Sequence, residues 1–212
     1  MDVSPASDGI TELKDAIRAA MRAQFSASDG DDRAARSTSI CQRLISSRVF
    51  EDAMTVMLYM PMRSEVDVIG VALEAFRRGK TVCLPRVEPG RDTMSVVATR
   101  SFDNDEMHPD AAGVRSPRGG ARVPEAAIDL VVVPGVAFDL NGGRLGRGGG
   151  FYDRFLSSLP TTTATIGICF DWQIVDVVPA DSRDTPVHAV VTDRRVAHRT
   201  PTDRLLEPKD SP

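Results

Sequence analysis

"AIDLVVVPG", residues 127–135, followed at 141–156 by "NGGRLGRGGGFYDRFL", decides how this chain folds. The first segment is a short β-branched apolar run ended by Pro134 and Gly135, and it reads as a buried strand. The second opens in turn formers. It closes with Tyr152, Phe155, Leu156 and Leu159 at helical spacing before Pro160, which predicts a short helix. A strand that passes through a glycine-rich turn into a helix is the repeating unit of a parallel sheet.

The flanking sequence repeats that logic. Ile10, Leu13, Ile17, Met21 and Phe25 predict a first amphipathic helix, and Ile40, Cys41, Leu44 and Ile45 a second over 33–47. "AMTVMLYM" (53–60) reads as a buried strand ended by Pro61, Ile69 to Phe76 as a helix stopping at Gly79, and "TVCLP" (81–85) as a strand. "TMSVVAT" (93–99) reads as a strand of unassigned place, and the turn-rich region 101–127 as a long connection. "TATIGICF" (163–170) and "HAVVTD" (188–193) are the last strands. The predicted fold is α/β: a three-layer sandwich whose largely parallel central sheet carries helices on both faces. One domain over 9–196 is expected, with flexible polar tails at 1–8 and 200–212.

Composition narrows the function. The chain has 212 residues and a net charge of −4, and no segment concentrates Lys and Arg without nearby acids, so nucleic acid is disfavoured as a partner. No apolar run is long enough to span a membrane and no secretory signal is visible, so a cytoplasmic protein without membrane contact is expected. Cys41, Cys83 and Cys169 lack metal-ligand spacing and are expected to be reduced core thiols. His108, His188 and His198 have no nucleophile suggested by motif, so no triad is assigned, and Trp172 is expected in the core or a pocket wall.

In parallel sheets the site lies beyond the strand carboxyl ends. Tyr59 to Asp67, Pro85 to Arg91 and Pro134 to Asp153 all start there and are expected to converge. Gly146, Gly148, Gly149 and Gly150 accept left-handed backbone at little cost, so successive N–H groups can face one anion. The helix that follows adds its dipole, and Arg144 and Arg147 add full charges, which suits a di- or triphosphate. No G-K-[ST] follows and the G-x-G-x-x-G register fails at Phe151, so a plain tight connection stays open as the other reading. Asp153 is either dipole compensation or, beside a phosphate, the holder of an intervening Mg²⁺; Asp171, Asp181 and Asp184 are candidates for a second acid. Lys14 and Arg18, four apart at the edge of an apolar stripe, are either snorkelling side chains or a pair that binds an anion.

Together these segments resemble the 5-formyltetrahydrofolate cyclo-ligase family, from about Lys14 to Asp193. The most specific stretch is "PGVAFDLNGGRLGRGGGFYDRFL" (134–156), with weaker support from 58–68, 79–87, 112–117 and 183–193. The resemblance implies ATP- and Mg²⁺-dependent cyclisation of 5-formyltetrahydrofolate to 5,10-methenyltetrahydrofolate by a monomer, with phosphorylation of the formyl oxygen and release of ADP and phosphate. It implies that Lys14 and Arg18 contact ATP phosphates, as does the loop Arg144, Leu145, Gly146, Arg147, Gly148, Gly149, Gly150 and Tyr152. Arg147 and Tyr152 become the catalytic candidates, Glu65 and Tyr152 the folate-binding pair, and Asp153 and Asp184 the Mg²⁺-associated acids. The residues alone leave Glu65 open as a helix first-turn acid after an N-cap Ser64, and Tyr152 as the start of a core stripe. Ser64, Ser116 and His188 depart from the family pattern, where a glycine, an acid and an Asp are frequent. The alternatives are a non-catalytic nucleotide- or folate-binding member and, more weakly, an unrelated small-molecule kinase.

Overall fold

A computed structural model describes residues 5–87, 93–109, 115–199 and 206. Helix α1 (Pro5–Ala27) precedes α2 (Gly30–Ile45), which starts earlier than expected because the Asp29 carboxylate accepts from the Asp31 and Asp32 N–H groups. A third short helix, α3 (Arg48–Asp52), follows directly, capped by Ser47. Then come β1 (Thr55–Met57), α4 (Ile69–Arg77), β2 (Thr81–Val87) and β3 (Met94–Thr99). The region 101–127 is more than a connection: it holds the hairpin β4 (Met107–Pro109) and β5 (Arg115–Pro117), and Arg86 donates to Pro117 O and Gly119 O to hold it against the sheet. β6 (Leu130–Val133) leads to a second hairpin, β7 (Ala137–Phe138) and β8 (Arg144–Leu145), then to α5 (Phe151–Ser158), β9 (Ala164–Ile168), β10 (Ala189–Val191) and β11 (Val196–His198).

The seven-stranded sheet runs β11-β10-β9-β6-β1-β2-β3. β10, β9, β6, β1 and β2 are parallel, and β3 and β11 close the two edges antiparallel. "TMSVVAT" is therefore a hairpin partner of β2, while the tail expected at 1–8 is already helical from Pro5. Residues 1–4, 200–205 and 207–212 of the expected tails lie outside the described residues.

Alternation along each strand sorts the core into two layers. Val56, Leu130, Val132 and Ile166 face the helices α2, α3 and α4, where Ile40, Leu44, Phe50 and Val71 are buried. Met57, Val131, Val133 and Val190 face α5 through Phe155 and Leu156. This is the three-layer arrangement expected. Phe138 lies on that second face across Gly135 and Gly167, where a Cβ at either glycine would collide with its ring. α1 packs apart from both layers, with Met21 and Ile17 against Ala137, Leu145 and Val178. Leu13, expected on the same buried stripe, is 56% exposed, whereas Lys14 beside it is partly covered.

All three cysteines are free and buried. Burial pushes the Cys41 thiol up to about 11 and the Cys83 thiol up to about 12, from an ordinary value of 9.0. A raised folded-state value means that the folded chain keeps its protons while the unfolded chain releases them. Stability from this source is intact below pH 9 and is lost as pH climbs toward 11–12. Urea unfolding at pH 8 and pH 10 should show a lower midpoint at pH 10, and a thiol-specific disulfide reagent at pH 8 should label the protein only after unfolding.

Candidate active site

The carboxyl ends of the parallel strands open onto a cleft of 620 Å³. α1 supplies Arg18, Met21, Arg22 and Phe25, and the loop after β1 supplies Met62, Arg63 and Ser64. Gly135 and Val136 come from the end of β6, Arg147 from the glycine turn, and Trp172 and Gln173 from the turn after β9. A smaller hollow of 280 Å³ beside β3 holds none of the candidate residues. Of the three segments expected to converge, those after β1 and β6 do. Pro85 to Val87 instead belong to β2, paired with β3, and residues 88–91 lie outside the described residues.

The glycine turn has the local geometry that an anion nest needs. Gly148 has φ +106° and Gly150 φ +66°, whereas Gly149 between them is not left-handed, so the backbone alternates in hand. Its two ends are fixed by an ion pair: Arg144 Nη2 donates to Asp153 Oδ1 at 2.7 Å. The Arg144 side chain is 3% exposed and that of Asp153 18%. Arg144 also lies against the Tyr152 ring, 5.6 Å from its centroid, and its Nε is buried without a partner among the described residues. Leu145 is a core residue, and its carbonyl accepts from Val136 N–H. Gly146 O accepts from Arg18 Nε at 3.1 Å, which docks α1 onto the turn.

The remaining candidates fall into two clusters. On one side Lys14 Nζ lies 2.6 Å from Asp184 Oδ2 and 3.5 Å from Asp181 Oδ2. Hydrogen bonds from Arg183, with Lys14 nearby, hold the Asp181 carboxyl well below the usual range. Thr185, next to Asp184, donates through its N–H to Asp153 Oδ1 at 3.5 Å, so the two candidate metal acids are neighbours. On the other side Arg147 meets Glu65 Oε1 at 3.2 Å and Ser64 Oγ at 2.9 Å. Ser64 thus gives Arg147 an anchor that a glycine could not. Glu65 is not a helical first-turn acid: its Oε2 accepts from Met62 N–H in a turn four residues before α4. Burial first, then the Glu65 charge, push the Tyr152 hydroxyl well up, so that group stays neutral. The same residue packs on the α5-side core, as the core-stripe reading of Tyr152 expects.

Some expectations move. His188 sits at the amino end of β10, with Nδ1 on Thr165, at the opposite end of the sheet from the cleft, so it has no place in a metal's outer shell there. Ser116 is buried in β5 against Pro85 O and takes no part in the cleft. Asp171, the other acid considered, accepts from Arg195 through both carboxylate oxygens and from Thr192 through one. Trp172 lines the cleft, stacked on Phe170 at 5.5 Å. Sequence reasoning missed Gln173, which donates to Gly135 O and Val136 O and accepts from Phe170 N–H, tying the ends of β6 and β9 together. It also missed Arg22 and Arg63. Gln173 and Arg63 lie in short irregular segments, where a single polar residue carries no periodic signal, whereas Arg22 sits on α1 in step with Lys14 and Arg18.

Among the described residues no group of three or more His, Cys, Asp or Glu is placed to hold a metal ion. Asp153 Oδ2 and Asp184 Oδ1 nevertheless accept no hydrogen bond from a described residue, so each acid keeps a free oxygen. Mg²⁺ asks for only one or two carboxylates when phosphate oxygens and water complete the shell, and the acids present fit that need.

Residues 10–193 match the model of the 5-formyltetrahydrofolate cyclo-ligase family. The chain belongs to that family, and is an enzyme of the ligase class. The mouse 5-formyltetrahydrofolate cyclo-ligase is 26% identical over 191 residues, covering 86% of this chain and 94% of the relative. The Escherichia coli K12 cyclo-ligase is 32% identical over 147 residues, covering 68% of this chain and 80% of that one. The solved Aquifex aeolicus 5,10-methenyltetrahydrofolate synthetase superposes with a TM-score of 0.76 at 30% identity, covering 88% of this chain and 93% of its own. No helix among the described residues is long and apolar enough to cross a membrane.

Removing Asp153 would leave the buried Arg144 charge unmatched. Asp153→Asn should lower the unfolding free energy by about 2–4 kcal/mol, and Arg144→Met combined with Asp153→Leu by less than the sum of the single changes. Equilibrium unfolding in urea checks both.

Proposed function

We propose that this family member cyclises 5-formyltetrahydrofolate to 5,10-methenyltetrahydrofolate while ATP becomes ADP and phosphate, with Mg²⁺ held beside the phosphates. The observation that carries the reading is the meeting, on one cleft, of the alternating glycine turn, Arg18 and the Arg147–Glu65 pair. The family match and the Aquifex aeolicus structure supply the reaction class. A single domain over 9–196 acting as a monomer is the arrangement proposed for it.

The chemical problem is a poor leaving group. N10 must close onto the formyl carbon and expel its oxygen. The formyl oxygen first attacks the terminal phosphorus of ATP, and the bond to the bridging oxygen breaks to release ADP. N10 then attacks the formyl carbon, the carbon–oxygen bond breaks with phosphate as the leaving group, and N10 loses its proton. The protein's share is positioning and charge stabilisation. Main-chain N–H groups of residues 146–150 cradle phosphate, and Lys14 and Arg18 neutralise it. Arg147, 50% exposed and tethered by Glu65 and Ser64, is the cation nearest the proposed junction of the two substrates. Glu65 accepts from the pterin, and neutral Tyr152 forms a wall beside it. Asp153 and Asp184 would hold Mg²⁺, which when bound supplies positive charge at the phosphate oxygens.

Lys14 is taken by Asp184 and Arg144 by Asp153, so the cations are neutralised by the acids that would face the metal.

The test is growth of the methenyl product's near-ultraviolet band from 5-formyltetrahydrofolate. It should require both ATP and Mg²⁺, and Arg147→Met and Asp184→Asn should each lower turnover on the order of 100-fold with the fold retained by circular dichroism. Tight binding of either substrate without any band would favour the non-catalytic reading.

A further inference from the structure

Four guanidinium groups, those of Arg18, Arg22, Arg63 and Arg147, stand around the cleft, and none of the residues lining it is Asp or Glu. That is a steep local excess for a chain of net charge −4. The reaction proposed above uses Arg18 and Arg147. Arg22 and Arg63 are exposed, and among the described residues neither makes a salt bridge or a side-chain hydrogen bond. Neither contributes to a core cluster, and neither is explained by stability.

Their placement limits what they can bind. Lys14, Arg18 and Arg22 recur every four residues on α1 and so form one stripe, each about 6 Å of helix rise from the next. Lys14 is at the Asp184 end and Arg18 at Gly146 of the glycine turn. Arg22 is one turn farther on, away from the phosphate nest. Arg63 comes from the loop after β1, two residues before Glu65. Phe25 and Met62 add apolar wall beside them. The cleft therefore offers, beyond Arg147 and Glu65, an apolar passage that ends in two unmatched cations.

A reduced folate has that order of chemistry: a pterin, an aryl amide, then carboxylates. We propose that Arg22 and Arg63 form the subsite for the carboxylate-bearing tail of the folate, and are specificity-determining residues of the reaction. This rests on the functional reading above. If the pterin lies at Glu65 and the phosphates at residues 146–150, the tail carboxylates are the anions left to be matched. Because both side chains are solvent-exposed, each contact is modest and weakened by salt.

The test is calorimetric binding, without nucleotide, of 5-formyltetrahydrofolate and of 5-formyltetrahydropteroate, which lacks the glutamate. The wild-type chain should hold the glutamyl form on the order of 10-fold more tightly at low salt, a ratio that shrinks as salt rises. In Arg22→Gln combined with Arg63→Gln the ratio should fall toward one, with the tail-less compound far less affected. ATP titration without folate forms the second arm. If the double variant keeps the tenfold ratio, or if it weakens ATP instead, the subsite is overturned while ring closure by the wild-type chain still stands. If the wild-type chain neither binds the glutamyl form nor produces the methenyl band, the functional reading falls as well.

Discussion

The site depends on one buried charge. Arg144 carries a guanidinium that is nearly sealed from water, and a buried cation has to be matched or the segment carrying it does not stay in place. Asp153 matches it from the first turn of α5, nine residues on, and Pro134 O at the end of β6 lies within 3.4 Å. Strand end, hairpin and helix start are thereby tied at one point. The intervening residues, 146–150, have to turn inside a closed span, which the left-handed Gly148 and Gly150 allow and a chain of L-residues would resist. The nest is a consequence of that clamp.

The same logic extends to the cleft's other ion pairs. Lys14 with Asp184 and Arg147 with Glu65 join segments far apart in sequence, and each involves a residue assigned to a ligand. Held this way, the side chains lose less freedom when a ligand replaces the internal partner. The turn that carries Trp172 and Gln173 is fixed from behind by Asp171 with Arg195 and by Asp193 with Arg36 of α2. Asp171 and Asp193 therefore serve the cleft at one remove: they position its wall without facing a ligand.

Much of the fold was legible in sequence because parallel strands buried on both faces read as continuous apolar runs, and those of β6, β9 and β10 did so. The parallel direction of the central strands was legible, but that of the edge strand β3 was not. Nothing in "TMSVVAT" distinguishes a crossover partner from the hairpin partner of β2 that it is. The β7–β8 hairpin has two residues per strand, too few to show alternation, so the nest's scaffold was invisible although the nest itself was not. Among site residues, Asp153, Arg147 and the glycines stood out because a short stretch combined them. The pairing of Lys14 with Asp184 spans 170 residues and left no trace in the sequence. Gln173 and Arg63 gave no signal, since only the fold brings them to the cleft.

The proposed seat of the nucleotide phosphates is the clamped turn at 146–150. It is tested most directly by following backbone amide resonances while MgATP is added to the isotope-labelled protein. The account requires the largest shifts at Gly146 to Tyr152, with Lys14 and Arg18 on α1 responding at the same concentrations. Shifts confined to other surfaces, such as the β3 edge, with the glycine amides unmoved at saturation, would contradict it.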